Sequence, residues 1–417
     1  MKHVVVVGGG VIGLTTAWFL LDAGMAVTLV ERQAGVGEGA SKANGGQLSY
    51  RYVSPLADEG VPMKALRWLM DRDGPLRFRP EADLRQWRWL WSFFGHCRAA
   101  ANRRTTERLL ELGELSRHSF GRLQDAAGLP DIAWRQPGKL VVYRDAETFA
   151  RATARLQGRA AVHEHPMSPR QCFELEPALG DSLGELAGGI FSPSEAVADC
   201  HAFCNGIARA LRAFPKFHGI VRAEALSFEI ERGRAKAIRT HFGKVAGDEF
   251  VVAAGLQSRD LMRTAGRHLP IYPLKGYSLT APVRPEHRSP AVSVTDFERK
   301  VLYARIGGSL RVAAMVDIVG ENLAIGAERI ASLMRIVRGS FPRAADWDLS
   351  VPWAGLRPAT PDGAPILGPS GVDGVWLNVG HGALGFTFAC GSARVLSDLV
   401  RGRDSPVALG RAAGGAE

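Results

Sequence analysis

The chain has 417 residues, 46% hydrophobic and 23% charged, enough to bury one large core or two interleaved ones. That balance excludes a disordered, low-complexity or repeat-array protein, the small-residue tail 412–417 apart. A formal net charge of +10 suits anionic surfaces or ligands, but the arginines are spread along the chain, which describes a solvated basic surface rather than a nucleic-acid tail.

Residues 4–7 are four consecutive valines, the pattern of a strand buried on both faces. Gly8, Gly10 and Gly13 follow as G-x-G-x-x-G, with Val11 and Ile12 inside the motif. An apolar helical pattern then runs from Leu14 to Leu21. Gly24 closes that helix, and residues 26–30 form a second strand pattern ending at the acid Glu31. These parts describe a dinucleotide-binding βαβ unit. Gly8 permits the tight turn, Gly10 brings backbone N–H groups to a pyrophosphate at the helix N-terminus, and Gly13 lets helix and strand pack closely. Glu31 is placed to accept hydrogen bonds from a ribose with a free 2′-hydroxyl. Three clustered glycines, with Asp22 and Glu31 close behind, exclude a membrane span or signal core here.

Further on, SKANGGQ (residues 41–47) suits either backbone lying flat against a ligand or a surface loop. Residues 61–127 read as mostly helical. Trp68, Trp87, Trp89, Trp91, Phe93 and Phe94 alternate there with Arg67, Arg72, Arg77, Arg79, Arg85 and Arg88. Such a stretch fits a membrane interface, or aromatics packed on a core with arginines outside. A turn and strand are expected over 134–143, helices over 146–159 and 168–175, and a strand over 187–191. A helix over 199–211 would be capped by Asp199. Residues 217–221 and 223–231 read as paired strands, with 235–240 next. The strand 250–253 runs into Ala254 and Gly255, which suggests a return to the nucleotide domain after an inserted second domain. Strands fill 271–316, mostly antiparallel, followed by a helix over 327–337. Strand, glycine-rich turn and helix close the chain over 375–400, and Gly380, Gly382 and Gly385 surround His381 at a second helix N-terminus suited to a ring or an anion.

The five cysteines are odd in number and show no disulfide pattern, which fits a reducing compartment. Cys200 and Cys204 flank His201 on one helix, but no second ligand pair accompanies them, so packing is expected there and no metal. The fold class is α/β with an α+β admixture. A Rossmann-like domain from 1–60, 195–265 and 355–417 interleaves with a second domain, 61–194 and 266–354, built on a mostly antiparallel sheet with helices.

G-G-G-x-I-G with Glu31, ANGGQ, the AAG strand end, YPLKGYS, GLRPATPDGAPILG and NxGHGxLGFTxxCG occur in one order over roughly residues 2–400. That series resembles the D-amino-acid oxidase and glycine oxidase superfamily of FAD flavoproteins, and within it the bacterial D-amino-acid dehydrogenases of small-subunit type. The resemblance implies FAD stretched across the first domain, its pyrophosphate by Gly8, Gly10 and Gly13 and its ribose by Glu31 and Arg32. The flavin ring is expected near Ser41, Asn44, Gly45, Gly46 and Gln47, with Val221 on the adenine side and Ala254 and Gly255 close by. The turn of Gly382, Ala383, Leu384, Gly385 and Thr387 would aim its helix dipole at the flavin pyrimidine oxygen, favouring the anionic reduced ring.

Arg357, beside the flavin, resembles the family's carboxylate-binding arginine, and Tyr277 its carboxylate-bonding tyrosine. As bare residues they would equally suit a structural ion pair and a strand aromatic. Tyr50, Arg51, Tyr303 and His381 are further pocket candidates. Relatives of sarcosine-oxidase type carry a flavin-bonding cysteine where this chain has Gly355, so the resemblance implies non-covalent FAD.

The implied reaction is oxidative deamination of a D-amino acid, D-alanine-like or a D-proline or 4-hydroxy-D-proline, by hydride transfer to flavin. Electrons would pass to a quinone or another acceptor, from a cytoplasmic enzyme held peripherally on the inner membrane face through 61–104. The alternatives are an oxygen-using amine oxidase of glycine or sarcosine type and a non-catalytic binding protein with a basic surface. No RNA-binding module is present, so nucleic acid is not an expected partner.

Overall fold

The computed structural model describes residues 2–407 except 59, 72, 157–162 and 182–183, and no side-chain detail at 64 and 66. The tail 412–417, Arg72 and the end of the helix expected over 146–159 therefore lie outside the described residues; that helix is seen as Ala146–Leu156.

The strand His3–Val7 pairs in parallel with Ala26–Glu31 on one side and Glu249–Val252 on the other. That central position explains the valine run, since Val4, Val5 and Val6 are wholly enclosed. Val375–Val379 and the antiparallel Ile366–Pro369 extend one edge, and Phe217–Arg222 the other, making six strands among the described residues. The pairing expected between 217–221 and 223–231 does not form. Phe217–Arg222 lies parallel to Ala26–Glu31, and Ala225–Glu231 turns back on Arg234–Thr240 in a separate three-stranded sheet. An open edge of the main sheet competes with a local hairpin, and the edge wins.

The helix Val11–Asp22 is apolar on every side because it is packed on every side. It leaves the first strand, meets the sheet, and is covered by Cys200–Leu211 and Gly385–Val400. The segment Gly382–Val400 is long and apolar enough to span a membrane, but 72% of it is buried inside the protein. Its outer flank rests on the 29-residue helix Ala99–Ala127. There Ser116 Oγ donates to the Thr387 carbonyl at 2.6 Å and accepts from Gly391 N at 3.0 Å. Part of the segment 61–194 thus packs against the nucleotide side.

The second sheet has nine strands. Its order is Val351–Ala359, Tyr272–Pro282, Ser309–Ile318, Val301–Ile306, Ser293–Asp296, Lys139–Tyr143, Gly188–Ser192 and His165–Met167, with Leu76–Phe78 alongside Ser309–Ile318. Most neighbours are antiparallel, as expected, but Lys139–Tyr143 and Leu76–Phe78 join in parallel. Val351–Ala359 pairs along its length with Tyr272 to Thr280, so 355–359 belong to this sheet. The helix Ala327–Ser340 covers its far face with Leu333 and Val337.

A Cβ at Gly391 would stand 2.8 Å from both the Leu112 carbonyl oxygen and Ser116 Cβ. Gly391→Val should therefore cost about 1–3 kcal/mol through overpacking, seen as a lower urea midpoint. An unchanged midpoint would contradict this close helix contact.

Candidate active site

One cavity of about 740 Å³ runs from the carboxyl ends of the parallel strands to the face of the nine-stranded sheet. Gly8, Gly10, Val11, Ile12, Glu31, Arg32 and Ser41 line its first part, with Ala254 and Gly255 from the next strand end. Gly8 has φ +111°, and a Cβ there would stand 2.5 Å from the Ala253 carbonyl oxygen, so the turn requires glycine. A Cβ on Gly13 would strike the Gly8 carbonyl; Gly13 is a packing residue behind the wall. The Glu31 carboxylate accepts from Gly9 N at 2.5 Å and Gln33 N at 2.7 Å. Ser41 Oγ accepts from Val11 N at 3.1 Å, at the start of the helix.

Asn44, Gly45, Gly46 and Gln47 continue the wall, and Gly382, Ala383, Leu384, Gly385 and Thr387 face them across the cavity lining. Behind this turn Asn378 donates to Thr16 Oγ1 at 2.9 Å, while its Oδ1, buried and part of the lining, has no partner. A glycine-lined trough, an acid at the second strand end and an orphaned acceptor fit an extended dinucleotide.

The other wall is sheet. Gly276 and Gly355 lie opposite each other in register, and the Arg357 guanidinium lies over Gly276, where a Cβ would occupy the same space. Arg357 Nη1 donates to the Met315 carbonyl at 2.9 Å. Met315 has φ +66° at a register shift, a local bulge that turns its carbonyl toward the arginine. Burial pushes Arg357 down to about 10, with Asp317 opposing, so it stays a cation at neutral pH. A charged fork over a flat patch can take a carboxylate through two hydrogen bonds.

Tyr277 touches the cavity lining, but its side chain packs in the core with Leu333 and Val337 and its hydroxyl donates to Asp317 Oδ2 at 2.8 Å, so the expected bond to a substrate carboxylate is not formed by the ring as it stands. Arg329 Nη2 donates to the other carboxylate oxygen at 2.7 Å. Burial, then Asp317, raises the phenol above its ordinary value, so it remains protonated. His381 lines the cavity too, 3.1 Å from Ser392 Oγ, and burial pushes its ring down to about 3. It is neutral at working pH.

Tyr50, Arg51, Tyr303 and Val221 do not line the cavity. Tyr50 is in the core, its N–H donating to Glu195, and Tyr52 takes the wall instead. Tyr303 packs on Phe341 at 4.7 Å on the far side of the sheet. Successive strand residues face opposite ways, so Leu302 meets the cavity and Tyr303 cannot. Val221 pairs with Val30, and residues 223–225 just beyond it reach the lining.

Sequence reasoning missed the Met315 carbonyl, the Asp317–Arg329 pair behind Tyr277, and Lys139. Lys139 is the one charge in an otherwise apolar strand, a readable signal of a buried charge with a purpose, while Asp317 shares its strand with Arg311. None of the five cysteines lines the cavity. Cys200 and Cys204 are buried in the core, and His201 meets Glu38 at 3.1 Å.

The glycine trough and the Arg357 fork line one cavity, the architecture of a nucleotide-dependent oxidoreductase. The chain belongs to the FAD dependent oxidoreductase family DAO, whose family model matches residues 3–399. FAD is its cofactor. It is 47% identical over 409 residues to "D-amino acid dehydrogenase 2" of Pseudomonas aeruginosa, covering 97% of this chain and 96% of that one. The protein of the same name from Ralstonia nicotianae is 44% identical, covering 97% and 98%. Among solved structures, glycine oxidase from Geobacillus kaustophilus superposes with a TM-score of 0.75 at 19% identity, covering 98% and 97%. L-proline dehydrogenase from P. horikoshii gives 0.73 at 17%, covering 97% and 95%. These two share the fold.

Two outcomes are expected. Gly276→Ala should displace the Arg357 guanidinium and raise KM about tenfold or more while FAD stays bound; an unchanged KM would contradict the Arg357 seat. His381 resists protonation in the folded protein but not in the unfolded chain, so the unfolded state binds more protons between pH 6.5 and about 3. Stability is therefore lost as pH falls through that window, by up to about 2 kcal/mol between pH 7 and 5. His381→Asn should flatten this dependence of the urea midpoint.

Proposed function

We propose that the chain catalyses the oxidative deamination of D-amino acids. The observation that carries this reading is the Arg357 guanidinium held over Gly276 in the cavity that also contains the dinucleotide trough. The names of relatives matched over 96% and 98% of their length support it.

Arg357 would bind the substrate carboxylate through the donors it does not give to Met315. Asp317 and Arg329 hold the Tyr277 hydroxyl on the core side of the sheet, and this network steadies the strand that carries Gly276 and the seat of Arg357. Leu274, Leu302, Ala313 and Val316 give the pocket an apolar lining, which suits a small or cyclic side chain such as D-alanine, D-proline or 4-hydroxy-D-proline. Among the described residues the lining carboxylates are Glu31, Glu38 and Glu224, none on the sheet wall that carries Arg357, so the substrate would arrive with a neutral amine or lose the extra proton to water. FAD, when bound, would take a hydride from the α-carbon and pass both electrons to a quinone or another acceptor other than oxygen. A linear imino acid, once released, would be hydrolysed by water to a keto acid and ammonia, whereas the cyclic imine from a D-proline would keep its nitrogen.

The tryptophan–arginine stretch packs some of its aromatics on the core and exposes others. In the helix Leu84–His96, Trp89, Leu90 and Phe93 face the core, and Trp89 Nε1 donates to the Ala359 carbonyl at 2.9 Å. Trp87, Trp91 and Phe94 face outward, with Trp91 83% exposed. Met63 and Met70 of Val61–Met70 are exposed nearby in sequence, as are Arg67, Arg85 and Arg88. Leu56 and Leu323, both largely exposed, belong to the cavity lining with Trp89 and Phe93. An apolar surface edged with arginines fits an anionic lipid interface, from which a lipid-soluble acceptor would reach the cavity rim.

Anaerobic addition of D-alanine, D-proline or cis-4-hydroxy-D-proline should bleach the flavin band, and the L-forms should not. Bleaching by the L-forms alone would overturn the stereochemistry. A soluble quinone should reoxidise the flavin faster than oxygen does; the reverse would make it an oxidase. Arg357→Ala should raise KM about a hundredfold with flavin retained, the loss of a buried charged hydrogen bond. The wild type should sediment with anionic liposomes at low salt, and Trp87→Ser with Trp91→Ser should not.

A further inference from the structure

Lys139 opens the strand Lys139–Tyr143 and is 3% exposed, yet it forms part of the cavity wall. Its ammonium donates to Gln47 Oε1 at 2.9 Å and to Ser49 Oγ at 3.0 Å, and lies 4.2 Å from the centre of the Tyr52 ring. All three partners are uncharged. The carboxylate that offsets it is Glu195, which accepts from Tyr50 N and Arg51 N at 2.7 Å each. Among the described residues no ion pair of 4 Å or less joins the two. Burial pushes Lys139 down and Glu195 up, and the charge of each opposes the shift of the other.

A buried ammonium without a contacting counter-charge is costly, and the cost falls when an anionic ligand shares the site. A second unsatisfied group stands in the same wall. Thr295, 6% exposed, lines the cavity with its Oγ1 unpartnered, on the strand next to that of Lys139.

The surroundings indicate what the ligand is. Ser49 N donates to Thr387 Oγ1 at 3.1 Å, and Thr387 stands in the first turn of the helix Gly385–Val400. The ammonium and the positive end of that helix therefore converge on residues 47–49. Arg357 already serves the substrate carboxylate from the far edge of the sheet, five strands away in order.

We propose that Lys139 supplies a buried positive charge to the bound flavin ring and raises its reduction potential. This rests on the proposed seat of the ring along residues 44–47. Uptake of a hydride adds two electrons and one proton to the ring, a net charge of −1. Lys139 neutralises that charge without forming a bond, and its proton stays on Nζ. The helix dipole alone offers about half a charge at its end, so a full charge in a water-poor wall is the larger contribution.

The test uses the FAD-loaded enzyme and two readouts that need no amino acid. Sulfite adds to flavin N5 and leaves the same negative charge on the ring. Lys139→Met should weaken sulfite binding at least tenfold and lower the potential measured against a redox dye; each tenfold change in the two-electron equilibrium is about 30 mV. Lys139→Arg should keep both within about threefold. Should Lys139→Met lose its flavin, Lys139→Gln, which can still donate to Ser49, is measured in its place.

Unchanged sulfite affinity and potential in a flavin-bound variant would overturn the proposal. A selective change in kcat/KM for D-glutamate against D-alanine, with flavin properties intact, would assign Lys139 to the substrate side chain and overturn it as well. Failure of D-amino acids to bleach the wild type would leave both readouts interpretable, so the two readings fail separately.

Discussion

Everything at the site depends on how closely the C-terminal helix is drawn into the protein. Gly385–Val400 lies between Val11–Asp22 and Ala99–Ala127, and Gly391 lets the long helix come to backbone distance. Ser116 ties the contact by accepting from one turn and donating to the previous one. Because the helix body is fixed, its first turn is fixed too, and Thr387 meets Ser49 beside the cavity. The N-terminal trough and the C-terminal turn are far apart in sequence, yet Asn378 joins them directly by donating to Thr16, 362 residues away. The fold thus clamps two ends of the chain onto one ligand space.

The sheet wall meets a different constraint. It must hold charges in a surface that is otherwise largely apolar, and it pairs Asp317 both with a neighbouring strand and with the helix Ala327–Ser340 beneath. Arg329, Asp317 and Tyr277 form a chain of donors and acceptors, all buried. Asp317 accepts from both neighbours, one on each carboxylate oxygen, which fixes the three side chains relative to one another. Arg357 sits at its edge, with one donor on the Met315 carbonyl and the rest of the fork available. Rigidity behind and availability in front are what positioning a small anion requires.

The parts legible in the sequence are those whose geometry is local. The turn at Gly8, the cap at Asp199 and the strand of four valines each declare themselves within a few residues, and the structure has them where the pattern put them. What was not legible depends on competition between distant partners. Phe217–Arg222 chose the sheet edge over its neighbour in sequence. Tyr50 and Tyr303 were reasonable pocket residues by type, but on strands and turns buried on both sides nothing in the residue pattern says which face sees the cavity. Lys139 needs Gln47 and Ser49 to be understood, and they come from another part of the chain.

The nine-stranded sheet is a partition one residue thick. Leu302, Ala313, Thr295 and Lys139 face the ligand space, while their neighbours Tyr303, Val312, Val294 and Leu140 face the core beneath the helix Ala327–Ser340. The bulge at Met315 shifts the alternation by one, so that Val316 joins the ligand side. Substitutions at one parity reshape what the enzyme accepts, and those at the other change how well it holds together. Descendants of this chain could therefore drift in appetite without weakening their frame, because the two properties are written on alternate letters of the same strands.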